Sequence, residues 1–126
     1  MGFFDAEDIA AVAVEALSRS QFASGDLILT GPAALGYDDV AKTLGEVLGR
    51  PVRHHHLKET ELAARHMAAG LPKACATTLA AMDTSIAAGS EDRVTDAVRR
   101  VTEGSPRSLS DFATASRAVW RKRVTA

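Results

Sequence analysis

Two short apolar runs on either side of a single helix constrain this chain more than any other feature. Leu27-Ile28-Leu29-Thr30 reads as a buried strand that ends at Gly31-Pro32, and Val52 to Leu57 reads as a second strand. Between them a helix is predicted from about Tyr37. Asp38 and Asp39 suit its first turn, and Val40, Leu44, Val47 and Leu48 form its apolar stripe. Gly49 stops it and Pro51 prevents resumption. Two strands joined by one crossover helix are expected to pair in parallel. Parallel sheets need several strands with helices on both faces, and two strands alone are too few for independent stability. The expectation is an α/β fold: a small parallel βαβ element followed by a mainly helical subdomain. Five to six helices and two to three short strands are expected in one domain over residues 1–126. Its sheet would then continue in something outside these residues.

The other segments read as helices. Asp8 is expected to open the first, with Ile9, Val12, Ala13, Ala16 and Leu17 at helical spacing. Ala10, Ala11 and Val14 make that helix apolar nearly all round, so it wants burial on more than one side. Ser24-Gly25-Asp26 breaks the pattern after it. Leu62, His66 and Ala69 share a later helix face, and Gly70-Leu71-Pro72 is a stop and restart. Cys75, Leu79, Met82 and Ile86 form the next stripe, which Gly89 ends. A shorter helix over Thr95 to Val101 closes at Gly104. Ser108 and Asp111 suggest a capping box for a last helix whose inward residues are Phe112, Ala115 and Val119.

Composition narrows the function classes. The chain has 15 Lys and Arg against 16 Asp and Glu, a net charge of −1 that gives no pull toward nucleic acid or an anionic membrane. The one basic cluster, Arg117, Arg121, Lys122 and Arg123, ends a helix, where positive charge suits the dipole. The single cysteine, Cys75, cannot staple a fold, which fits a reducing, cytoplasmic compartment. It reads as a small core residue rather than a catalytic thiol. The apolar run from Ile9 to Val14 is too short to cross a bilayer.

An ordered set of motifs runs through nearly the whole chain. It comprises Phe4-Asp5-Ala6-Glu7-Asp8-Ile9-Ala10-Ala11-Val12-Ala13, then Leu29-Thr30-Gly31-Pro32-Ala33-Ala34-Leu35, then Val40-Ala41 and Leu48-Gly49-Arg50-Pro51-Val52. Gly70-Leu71-Pro72 and the stretch from Gly104 to Phe112 follow. This set resembles the C-terminal third of NmrA-like, atypical short-chain dehydrogenase/reductase proteins. The resemblance implies the substrate-binding part of an NAD(P)H-dependent oxidoreductase, with hydride transfer to a small organic acceptor such as a quinone or enone. It implies NAD(P)H as cofactor of the full-length family. The Gly-rich dinucleotide turn lies in the family's N-terminal half, and no G-x-G-x-x-G occurs here. These residues alone are therefore expected to bind no cofactor and to be inactive. Expected partners are a small organic substrate and either the missing Rossmann half or a second copy in a homo-oligomer. Two other readings stay open: a non-catalytic redox-sensing or protein-interaction module, and a stand-alone homodimeric small-molecule binder or cyclase.

Candidate chemistry is sparse. The resemblance makes Tyr37 a tempting proton donor, but its lysine, Lys42, is five residues on rather than four. At about 100° per residue that is roughly 140° off the tyrosine's face, so no catalytic residue is assigned. Gly31 to Gly36 lacks the Lys and Ser/Thr of a phosphate loop and reads as a strand-to-helix turn. In His54-His55-His56, alternation puts His54 and His56 on one face. Two such ligands can begin a zinc site, which needs three or four. His66, Glu59 and Glu61 are the nearby candidates, and no spacing forces them together, so no metal is expected. The substrate-binding residues expected are Phe3, Phe4, His54, His56, Met67, Met82 and Trp120, some of which double as ordinary core.

Overall fold

The computed structural model describes residues 1–22 and 25–121, the side chain of Arg121 excepted. Ser24 of the expected break, and Lys122 and Arg123 of the basic cluster, lie outside the described residues. Among the described residues six helices follow in order: α1 (Ala6–Ser18), α2 (Tyr37–Leu48), α3 (Glu59–Ala68), α4 (Lys73–Ala87), α5 (Ala97–Thr102) and α6 (Leu109–Arg121). They pack as three pairs, α1 on α5, α2 on α6 and α3 on α4.

Local chemistry sets most of the ends. Asp5, not Asp8, caps α1, its Oδ1 accepting from the Glu7 N–H at 3.0 Å. Asp39 and Glu61 reach back to the backbone N–H groups of Gly36 and Lys58, at 2.9 and 2.8 Å. Gly49 closes α2 at φ 67°, a left-handed conformation that favours glycine. The Ser108–Asp111 box forms as expected: Asp111 Oδ2 accepts from the Ser108 N–H at 2.9 Å, and Ser108 Oγ from the Asp111 N–H at 3.1 Å. Asp8 has a different task. It is buried, and its Oδ2 accepts from the Arg107 N–H at 2.9 Å. Arg107 Nη1 lies 3.2 Å from Asp5 Oδ2, in ion-pair contact. This knot ties the start of α1 to the segment that leads into α6.

The expected α/β class is corrected. Among the described residues there is no strand, and so no βαβ element. Both runs are non-helical, but their backbones do not pair. In the first, side chains replace the ladder: the Thr95 N–H donates to Thr30 Oγ1 at 2.9 Å, and the Thr95 hydroxyl donates to the Ile28 carbonyl at 2.6 Å. A strand exists only where a neighbour takes its N–H and C=O groups. Leu27 and Leu29 still turn inward onto the core, as alternation demands, while Ile28 stays exposed.

That core is thin. Val12, Val98 and Val101 are its buried centre, with Phe22, Leu27 and Leu29 against them. Elsewhere the buried apolar positions are alanines: Ala41, Ala63, Ala76, Ala80, Ala97 and Ala113. Small residues let paired helices approach closely, so the stripes of larger residues expected inside are displaced outward. Cys75, Leu79 and Met82 are exposed, as are Phe112 and Val119. On α1, Val12 is buried while Ile9, Val14 and Leu17 face solvent, Leu17 at 88%. The accessible surface is 8927 Å², against roughly 6,450 Å² expected for a compact monomer of this mass. No helix among the described residues is long and apolar enough to cross a membrane.

Candidate functional site

A cleft of about 560 Å³ opens where the start of α2, the histidine run and the end of α4 meet. Tyr37, Asp38, His54 and His56 line it together with Leu35 and Ile86. The run is extended, so His54 and His56 fall on the same side, their rings 4.2 Å apart; His55 is absent from this cleft's lining, and all three histidines border a neighbouring hollow. The Tyr37 ring packs at 5.3 Å on His54, whose side chain is 27% exposed.

Asp38 joins the two histidines. Its Oδ1 lies 3.2 Å from His54 Nδ1 and 3.4 Å from His56 Nε2. The three ligating atoms lie within 4.8 Å of one another, which makes this trio the candidate metal-holding group among the described residues. His66, Glu59 and Glu61 do not enter it. His66 is half-buried on α3, and Glu61 is engaged as a cap. Asp38 was legible in sequence only as a first-turn acid, and its proximity to histidines sixteen and eighteen residues on is a tertiary fact.

Tyr37 is committed elsewhere. Its hydroxyl donates to Asp83 Oδ1 on α4 at 2.6 Å. That hydrogen bond, then burial, then the carboxylate's charge, push the phenol up to about 12. A phenol so held keeps its proton and orients its ring.

The other expected substrate-binding residues scatter. Phe3 and Phe4 line a separate apolar hollow of about 310 Å³ with Arg107, Leu109 and Phe112. Trp120 borders a groove with Leu44, Leu48 and Val52, and meets Phe112 edge-on at 5.8 Å. Met67 and Met82 are exposed on α3 and α4, outside the lining of these clefts. Of the seven, His54 and His56 are brought together in one site, and Asp38, Tyr37 and Asp83 complete it.

No protein-family model matches the chain. Over 95% of its length it is 46% identical to an uncharacterized oxidoreductase, YesF, of Bacillus subtilis. Over 96% it is 43% identical to an agroclavine dehydrogenase of Claviceps purpurea. The chain spans 42% of the length of each of these relatives. A solved NADPH-dependent quinone oxidoreductase, QOR2 of Escherichia coli, superposes with a TM-score of 0.79 over 91% of this chain and 42% of its own, at 22% identity. The helical arrangement is therefore one already seen within a larger protein. The chain is similar, along nearly all of its length, to part of oxidoreductases.

Proposed function

We propose that this chain is the substrate-side, C-terminal portion of an NmrA-like oxidoreductase that uses NAD(P)H. The observation that carries the reading is the end-to-end similarity to the Bacillus oxidoreductase at 46% identity, which spans only 42% of that relative. Dinucleotide binding and hydride delivery would belong to the remainder of such a protein. The part played here is to hold the acceptor, a small conjugated carbonyl compound of the quinone or enone type. The cleft beside Tyr37 suits that part: a half-buried His54 offers a polar contact, and Leu35 and Ile86 offer apolar walls.

The exposed apolar surface supports the same reading. Ile9, Val14 and Leu17 on α1 are exposed, as is Ile28 on the unpaired extended run, and these are apolar side chains that a larger protein can cover. A dinucleotide-binding half would cover α1 and supply the backbone partners that residues 26–30 lack.

The test is a chimera in which this chain replaces the matched 42% of the Bacillus relative. NADPH binding is followed by fluorescence, and NADPH oxidation is followed with a short-chain quinone. The isolated chain should do neither, and the chimera should do both. Turnover by the isolated chain would overturn the reading. So would a folded chimera that binds NADPH and reduces no quinone or enone that the intact relative reduces.

A further inference from the structure

We infer that Asp38, His54 and His56 form a binding site for a divalent transition-metal ion, with zinc the best match. The inference stands on their geometry alone and does not depend on the oxidoreductase reading. Zinc bound by nitrogen and oxygen takes bonds of about 2.0–2.1 Å in a tetrahedron. Two ligand atoms of such a tetrahedron are then about 3.3–3.4 Å apart. The distances from Asp38 Oδ1 are 3.2 Å to His54 Nδ1 and 3.4 Å to His56 Nε2. These edges already match before any ion draws the side chains in. The third edge, between the two histidine nitrogens, lies within 4.8 Å and closes with small ring rotations.

The donor set is chemically apt. Two neutral imidazoles and one carboxylate favour zinc and its first-row neighbours over calcium or magnesium, which prefer oxygen. A hydrogen-bonded pairing needs a proton at each contact, and one carboxylate oxygen faces both rings. A cation replaces both protons at once. The helix N-terminus at Asp38 slightly opposes positive charge, and the carboxylate offsets it. Packing of the Tyr37 ring on His54 limits that ring's freedom, so less entropy is lost on ligation. Three protein ligands leave one tetrahedral position open toward the cleft, the pattern of a site that also takes water or a ligand oxygen.

No spacing in the sequence forces His66, Glu59 or Glu61 onto the histidine pair. The third ligand comes from α2.

The experiment is titration of the purified chain with zinc at neutral pH by isothermal calorimetry, with cobalt as a coloured substitute. One equivalent should bind with micromolar or tighter affinity, and cobalt should give the strong visible bands of a four-coordinate site. Asp38→Asn, His54→Ala and His56→Ala should each weaken binding at least tenfold, and His55→Ala should leave it unchanged. Circular dichroism checks that each variant remains folded, and Asp38→Asn alters only an exposed side chain. Absence of stoichiometric binding would overturn the inference. Loss in His55→Ala equal to that in His54→Ala, with Asp38→Asn unaffected, would also overturn it, because adjacent histidines would then chelate the ion as a flexible tag does.

Discussion

Tyr37 Oη donates a 2.6 Å hydrogen bond to Asp83 Oδ1, and this bond joins the first residue of α2 to α4. Because the carboxylate holds the phenol's proton, the tyrosine is unsuited to give it away. Tyr37→Phe should leave the fold intact and cost about 1 kcal/mol, less than the roughly 1.5–3 kcal/mol of a bond to a charged group, since the pair is only partly buried. The pH dependence has a definite sign. The folded phenol is raised from 10.0 to about 12. Its contribution is therefore fully present below about pH 10 and lost as pH rises toward 12. Urea unfolding of both proteins should show a constant difference from pH 7 to 9 that shrinks above 10. An unchanged difference at pH 11 would show that ionisation is not linked to folding.

Asp8 is buried and accepts from the Arg107 backbone N–H at 2.9 Å. Asp8→Ala strands that donor and should cost about 1–3 kcal/mol. Asp8→Asn keeps an acceptor oxygen and should cost less. Thermal unfolding of the two variants checks the order, and equal losses would mean that the negative charge of Asp8 matters more than the hydrogen bond.

Gly31 lies against the backbone of Phe3, and a Cβ there would overlap the Phe3 carbonyl oxygen. Gly31→Ala should destabilise by about 1–3 kcal/mol through forced displacement of the N-terminal segment. Gly36→Ala is the matched control, since its Cβ would meet only Asp39 Oδ2, at 3.5 Å. Parallel denaturant melts decide the matter.

Glu103 ends α5 at φ 60°, the left-handed region that disfavours side chains with a Cβ. Glu103→Gly should raise stability by about 0.5–1 kcal/mol, the relief of strain exceeding the entropy that glycine adds to the unfolded chain. A lower melting temperature for the variant would show that Glu103 makes compensating contacts.

Leu17 is 88% exposed on the open face of α1. Leu17→Lys should change the isolated chain's stability by less than about 0.5 kcal/mol. In the chimera with a dinucleotide-binding half, the same change should lower the melting temperature of the assembled protein. Equal effects in both contexts would mean that this face is not covered in the larger protein.

Helix positions were legible because their signals are local. Gly49 and Pro51 end α2, Pro72 precedes α4, and Ser108 with Asp111 caps the last helix, each through groups within a few residues. The resemblance to an oxidoreductase part was legible for a similar reason, since it rests on ordered short motifs. Inward faces were harder. The stripe of Cys75, Leu79 and Met82 has helical period, yet Ala76 and Ala80 on the same helix are the buried residues. Periodicity reports a preference for some apolar neighbour, and the described residues cover that stripe only in part.

The sequence by itself determined where α2 starts and stops and where α6 is capped, that α1 is apolar beyond what one neighbour can cover, and that His54 and His56 share a side. These follow from backbone geometry and from groups close along the chain. Only the tertiary structure decided that the two extended runs stay unpaired, that Asp5 and Asp8 clasp Arg107, and that Asp38 meets the histidines while Asp83 takes the Tyr37 proton. A strand requires a neighbour's backbone and a site requires side chains from distant segments. Both depend on which surfaces meet, and no local spacing encodes that.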